Sequence, residues 1–266
     1  MSILFRNEYG KGKATVADFI RHCARAGIRA VEISRSDEMT AAGDVERALL
    51  ESGIAVSSYN LAPVLLHEDT LERRRAWQEF DRGIERATML RSRCAMLFPG
   101  PLGKKSPEEE RRSLVEALRE CVRHVPAGGP TLVMENVGMA ERAPIHGRTR
   151  HMRQIVEDVA SPRFRLAFDT GNFMYVEEDP VAALSELLPC VVHVHLKDVV
   201  RRGGRCVEVP IGTGSVDFPA LFKILADACY DGYLSVECAG DQERSEKEEM
   251  LAISLRNVER LLDRIP

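Results

Sequence analysis

Several things are missing from this chain, and each absence removes a class of function. Lysine plus arginine do not outnumber the acids, the formal net charge is -4 and the isoelectric point is near 6.0. A protein that tracks a phosphate backbone needs the opposite balance, so a nucleic-acid partner is not expected. No apolar run reaches the roughly 18 residues of a membrane span. The N-terminus is charged too soon, at Arg6, for a signal peptide. The seven cysteines are scattered and form no C-x-x-C pair. They are expected to be reduced thiols in a cytoplasmic setting, and Cys238 to be a packing residue rather than a nucleophile. No complete glycine-rich phosphate loop follows the first apolar stretch. Gly10-Lys11-Gly12 lacks the spacing and is expected to be a surface turn.

What is present is ordinary globular material, 266 residues with 44% apolar and 29% charged side chains. Strand-like and helix-like segments alternate along all of it. Thr15-Val16-Ala17-Asp18 has the form of a capping box, followed by Val16, Ile20 and Cys23 at helical spacing and by a stop at Gly27. Strands are expected at 2–5, 28–34, 54–58, 94–98, 131–135, 165–169, 191–195 and 232–237. Helices are expected between them at 41–52, 67–92, 106–124, 148–160, 218–229 and 245–265, with a shorter one opened by Asp179-Pro180. Ser106-Pro107-Glu108-Glu109 is an N-cap with proline at the first helical position. Residues 201–209, rich in glycine and arginine, are expected to be a loop. Eight strand–helix units of about 33 residues, with no linker between them, predict a single α/β domain over 1–266 that closes as a (β/α)8 TIM barrel.

Four of the apolar runs end on residues that bind metals or move protons: Glu135, Asp169, His195 and Glu237. Buried carboxylates are costly unless their charge is offset. Side chains alternate across a strand, so Leu132 and Met134 oppose Val133 and Glu135, and the other runs behave alike. Larger apolar side chains then face the helices, and the four polar ends face the barrel axis at the C-terminal mouth, where barrel enzymes carry their sites. Two glutamates, an aspartate and a histidine form an oxygen-rich set suited to one divalent cation. His193 shares the inward face of its strand and is expected to pack beneath that set. Lys197 either neutralises a reaction intermediate or pairs with Asp198. In the 137–150 segment, Arg142, His146 and Arg148 are expected to belong to a solvated loop rather than to bind an acidic substrate.

Met134-Glu135-Asn136, Phe168-Asp169-Thr170-Gly171-Asn172, His193-Val194-His195-Leu196-Lys197-Asp198, Pro210-Ile211-Gly212-Thr213-Gly214 through Phe218, and Ser235-Val236-Glu237 occur in that order. Together they resemble the xylose isomerase-like barrel superfamily, which includes sugar epimerases, inosose dehydratase and endonuclease IV. In the first half, Gly27 to Ile33 is the clearest match. The resemblance implies that Glu135, Asp169, His195 and Glu237 hold one metal, manganese first and Mg²⁺, Co²⁺ or Zn²⁺ next. It implies that Glu135 and Glu237 act as acid and base on opposite faces of a ketose or cyclitol ketone, giving isomerisation or epimerisation through an enediolate. Glu141 and Arg201 fall at substrate-contact spacings, and Asn172 and Lys197 lie beside the site. Asn172 stands where the epimerases and endonuclease IV carry histidine, which argues against a multi-zinc phosphodiesterase. Dehydration at the same site, and a non-catalytic sugar-binding or accessory barrel, are the alternatives. A homo-oligomer is compatible with all of them.

Overall fold

The structure, a computed structural model, describes residues 2–4, 15–61, 66, 69–98, 106–138, 145–237 and 244–265. Expectations that concern Gly10 to Gly12, Glu141, Arg142 and Cys238 lie outside them. The chain forms two compact units, one built from 1–135 and 155–165, the other from 136–154 and 166–266.

In the first unit, five strands form a parallel ladder in sequence order: β1 (Ser2–Leu4), β2 (Ala30–Ser34), β3 (Ala55–Asn60), β4 (Cys94–Leu97) and β5 (Thr131–Glu135). Successive parallel strands need a crossover, and helices supply it. Helix α1 (Val16–Arg25) opens on the expected capping box, with Thr15 and Asp18 bonding each other's backbone N–H. Its buried face carries Val16, Ile20 and Cys23, and burial raises the Cys23 thiol to about 12. The helix expected at 41–52 is two helices, α2 (Arg35–Ala41) and α3 (Val45–Ser52). Ser34 and Asp44 each accept a backbone N–H as side-chain caps, so the chain restarts at Asp44, and Gly53 closes α3 in the left-handed conformation at φ 67°. Helix α4 (Thr70–Met89) and helix α5 (Pro107–His124) follow, the latter with the Ser106/Glu109 capping box in place. Between α2 and α4, Tyr59 donates to Glu38 (2.6 Å), which Arg86 also grips. That network satisfies a buried phenol, whose own ionisation burial pushes far up.

Helix α6 (Thr149–Val159) and strand β6 (Phe164–Asp169) carry the chain across the boundary between the units. In the second unit, β6 and β7 (Val191–Leu196) run parallel, and the last strand pairs with the other edge of β7. A four-residue helix, α7 (Asn172–Tyr175), and helix α8 (Pro180–Leu187) separate β6 from a 3₁₀ turn at Leu188–Cys190. Asp179 caps α8 as its Asp-Pro start predicts. The 201–209 loop expectation is corrected: residues Asp198–Arg202 (β8) and Arg205–Val209 (β9) form an antiparallel hairpin turning at Gly203-Gly204. Helix α9 (Phe218–Asp227), strand β10 (Tyr233–Val236) and helix α10 (Arg244–Leu262) complete the chain. Phe168 packs on Phe173 with ring centroids 4.9 Å apart, and Phe218 and Phe222 are buried nearby in sequence on α9. Among the described residues, no helix is long and apolar enough to cross a membrane.

Candidate metal centre

The second unit gathers its polar strand ends by register. Asp169 on β6 lies directly opposite His195 on β7, and Ser235 on β10 lies opposite His195 from the other side. Glu237 is two residues beyond Ser235 and so returns to the same face. Its N–H donates to the Leu196 carbonyl (3.1 Å), which extends the ladder one step past the strand. The carboxylate oxygen Oε2 of Glu237 lies 3.1 Å from Nδ1 of His195. Asp169, His195 and Glu237 are 0%, 2% and 6% exposed. Each offers a ligand atom within 4.8 Å of the others.

Lys197 shares that face. Its ammonium lies 2.8 Å from Asp169 Oδ2 and 3.4 Å from Glu237 Oε2. Asp198, the partner expected in one of the two roles, is engaged by backbone groups instead. The Asp198 carboxylate accepts the backbone N–H groups of Val199 (2.9 Å), Gly212 (2.9 Å), Gly214 (2.7 Å) and Val216 (3.1 Å). The lysine stem passes close over Gly171, where a Cβ would lie 2.8 Å from Lys197 Cγ, so any larger residue would displace the ammonium.

Asparagines lock the aspartate. The Asn136 side chain accepts the Asp169 N–H (2.8 Å) and donates to the Asp169 carbonyl (3.0 Å), reproducing two ladder bonds. Asn172 donates its own N–H to Asp169 Oδ1 (2.7 Å) and its amide to the Asn136 carbonyl (2.9 Å). Thr170 Oγ1 donates to the Lys197 carbonyl (2.7 Å) and accepts the Lys197 N–H (2.9 Å). Held this way, two buried carboxylates and an imidazole converge beside the lysine ammonium in a nearly dry place. That donor set of two carboxylates and an imidazole on one face fits a hard or borderline divalent cation.

The other sequence-predicted residues fall as follows. Glu135 is the buried last residue of β5 and is joined by one peptide bond to Asn136. His193 is fully buried, its ring edge-on to His195 at 5.1 Å. Arg201 is on β8 with its guanidinium half-exposed, paired with Glu177 (3.2 Å) and donating to the Met174 carbonyl (3.1 Å). His146 is buried, contrary to a solvated loop, and burial lowers its ring to about 4. Asn136 and Thr170 carry as much of the geometry as the ligating types do. Their only signal in the sequence is an uncharged polar residue directly after each strand-end acid.

A family model described as the xylose isomerase-like TIM barrel matches residues 20–261. The chain belongs to this family. Its fold is therefore the TIM barrel that strand–helix alternation predicts. Inosose dehydratase from Clostridium perfringens is 29% identical over 152 residues, covering 50% of this chain and 49% of that protein. The chain thus matches about half the length of that curated relative, and less of others of the same name. Among solved structures, the IOLI protein with a bound zinc atom superposes with a TM-score of 0.84 at 18% identity, over 100% of this chain and 99% of that one. D-psicose 3-epimerase with D-tagatose, from Clostridium cellulolyticum, gives 0.77 at 17% identity over 98% of each chain. In this xylose isomerase-like barrel, the buried Asp169, His195 and Glu237 are a group that could hold a metal.

Proposed function

We propose that the chain is a divalent-metal-dependent enzyme that moves an α-proton on a ketose or cyclitol ketone, completing an isomerisation or epimerisation. The observation that carries this reading is the convergence of Asp169, His195 and Glu237, with Lys197 between the acids. Glu135 is proposed as the fourth ligand. It ends β5, it is buried, and the next residue's amide holds Asp169. Mn²⁺ is the proposed ion. Mg²⁺, Co²⁺ and Zn²⁺ suit the same donors.

A divalent cation held there supplies Lewis-acid stabilisation for the negative charge that grows on the substrate carbonyl oxygen. Glu237 takes the proton from the α-carbon, and the electron pair moves into an enediolate. Glu135 returns a proton from the opposite face, which inverts that carbon. Return to the former carbonyl carbon, with the enediolate's hydroxyl proton passing to the neighbouring oxygen, transposes the carbonyl instead. Lys197 and Asn172 hydrogen-bond the hydroxyls beside the reacting carbons and hold them within reach of the carboxylates. Glu141 and Arg201 are proposed as further substrate contacts; for Arg201 that means leaving its pair with Glu177.

Dehydration is the second reading, favoured by the curated relatives named inosose dehydratase. The same proton is removed, but the β-hydroxyl then leaves as water after protonation by the second glutamate. Incubating the Mn²⁺-loaded protein with D-psicose, D-tagatose and inosose in D₂O separates the outcomes. Deuterium at the α-carbon with product of unchanged mass apart from the label supports isomerisation or epimerisation. Loss of 18 mass units supports dehydration. No exchange with any of them defeats both. Glu237→Gln is expected to lower exchange at least about 100-fold. Full exchange in that variant would remove Glu237 as the base.

A further inference from the structure

Helix α7 crosses the site between two other elements of the same unit. On one side, Gly138, three residues after Glu135, lies under Tyr175. A Cβ at Gly138 would meet Tyr175 Cβ at 2.8 Å and Cδ2 at 3.1 Å. On the other side, the hairpin β8–β9 reaches over the helix, with Arg201 and Cys206 both directed to the Met174 carbonyl (3.1 and 3.6 Å). Tyr175 and Asn172 are three residues apart on this helical turn and so share a face. Asn172 is already bonded to Asp169, Asn136 and Lys197. The tyrosine is only half-buried, and among the described residues nothing hydrogen-bonds its hydroxyl.

We infer that Tyr175 is a substrate-contacting residue of this centre, offering ring surface to the C–H face of a polyol and its hydroxyl to a polyol oxygen. The geometry is that of a half-buried ring packed on one side against Gly138, on the face that carries Asn172. A tyrosine combines the two surfaces a sugar or cyclitol presents, apolar C–H groups and hydroxyls. Its electrostatic surroundings agree. Burial raises the phenol's ionisation, Glu208 and Asp169 reinforce that, and the Lys197 charge opposes it. The phenol therefore stays neutral and can donate a hydrogen bond. Nothing in the spacing of the chain marks Tyr175, because the helix that orients it is a single turn.

This inference rests on the polyol reading above, so its test measures binding apart from turnover. Tyr175→Phe and Tyr175→Ala, loaded with Mn²⁺, are titrated calorimetrically with D-psicose, D-tagatose and inosose, and Mn²⁺ affinity is measured separately. Tyr175→Ala is expected to weaken binding and raise KM at least tenfold with Mn²⁺ affinity unchanged, and Tyr175→Phe to recover part of that loss. Unchanged Kd and KM in both variants would overturn the inference. So would weakened Mn²⁺ binding in Tyr175→Phe, which would mark the residue as a support of the ligands. If a compound binds through Tyr175 but shows no exchange in wild type, the proton-transfer reading falls and this contact stands. If none binds to wild type, both fall.

Discussion

Asn136 shows how much of a charged site can depend on an uncharged side chain. Its amide closes both backbone groups of Asp169 at 2.8 and 3.0 Å, so the strand end that carries the carboxylate cannot shift without leaving a buried donor and a buried acceptor unmatched. Asn136→Ala is expected to cost about 1–3 kcal/mol in urea unfolding. It should also weaken metal affinity, through loosened placement of Asp169. Asn136→Asp should be no better, because a carboxylate cannot donate to the Asp169 carbonyl. An unchanged unfolding midpoint in Asn136→Ala would show that the amide bonds contribute nothing net.

His146 is a separate case at the same scale. Burial lowers its ring to about 4, with a smaller contribution from His151, against about 6.5 in an unfolded chain. Between those values the unfolded state binds a proton that the folded state refuses. Stability linked to His146 is therefore fully present above pH 6.5 and is lost as pH falls towards 4, by up to about 1.4 kcal/mol per pH unit. His146→Gln removes this slope. Denaturant midpoints at pH 7 and pH 4.5 should differ less in the variant than in wild type; equal differences would sink the assignment.

At the scale of elements, the hairpin β8–β9 and the turn after it are pinned by one carboxylate. Asp198 receives four backbone N–H groups, two on each oxygen. A Cβ on Gly214 would lie 2.1 Å from Oδ1, so that glycine lets the turn approach. Asp198→Asn replaces one acceptor oxygen by a donor facing two N–H groups and is expected to cost about 2–4 kcal/mol. Faster hydrogen exchange at Gly212, Gly214 and Val216 should accompany it, and protection equal to wild type would refute the pinning role. This hairpin leaves little trace in the sequence. The Gly203-Gly204 turn flanked by arginines carries the composition of a loop, and its alternation is hidden because β8 and β9 are polar and exposed at the tip. Helix α7 was invisible for another reason, since four residues give no periodicity. By contrast, β5 and α5 were legible to the residue, because a capping box at Ser106, a glycine pair before Thr131 and a carboxylate after an apolar run are local signals. The metal-type residues were legible because their cost in a core demands a reason. The role of Asp198 is not, because three of its four partners lie 14 to 18 residues away along the chain.

For the whole molecule, the proposed ion ties function to stability. A site made of Asp169, His195 and Glu237 with Lys197 between them exists only when β6, β7 and β10 are in register. An ion bound to that site and not to the unfolded chain must stabilise the fold by mass action, about 2.7 kcal/mol at one hundred times Kd. For a chain of 266 residues this corresponds to a rise in Tm on the order of 5 °C. Protein stripped with chelator should therefore melt lower, and added Mn²⁺ should restore the higher Tm. His195→Ala should melt at one temperature with and without Mn²⁺, since it removes the ligand between the two carboxylates without adding charge. Lys197→Met should respond in the opposite sense. Without the ammonium the two acids repel each other, so the stripped variant should melt lower than stripped wild type, and its gain on adding Mn²⁺ should be larger. A Tm that ignores both chelator and Mn²⁺ in wild type would remove the metal from the proposal, and a Lys197→Met gain smaller than that of wild type would mean the lysine assists the ion rather than balancing the empty charge.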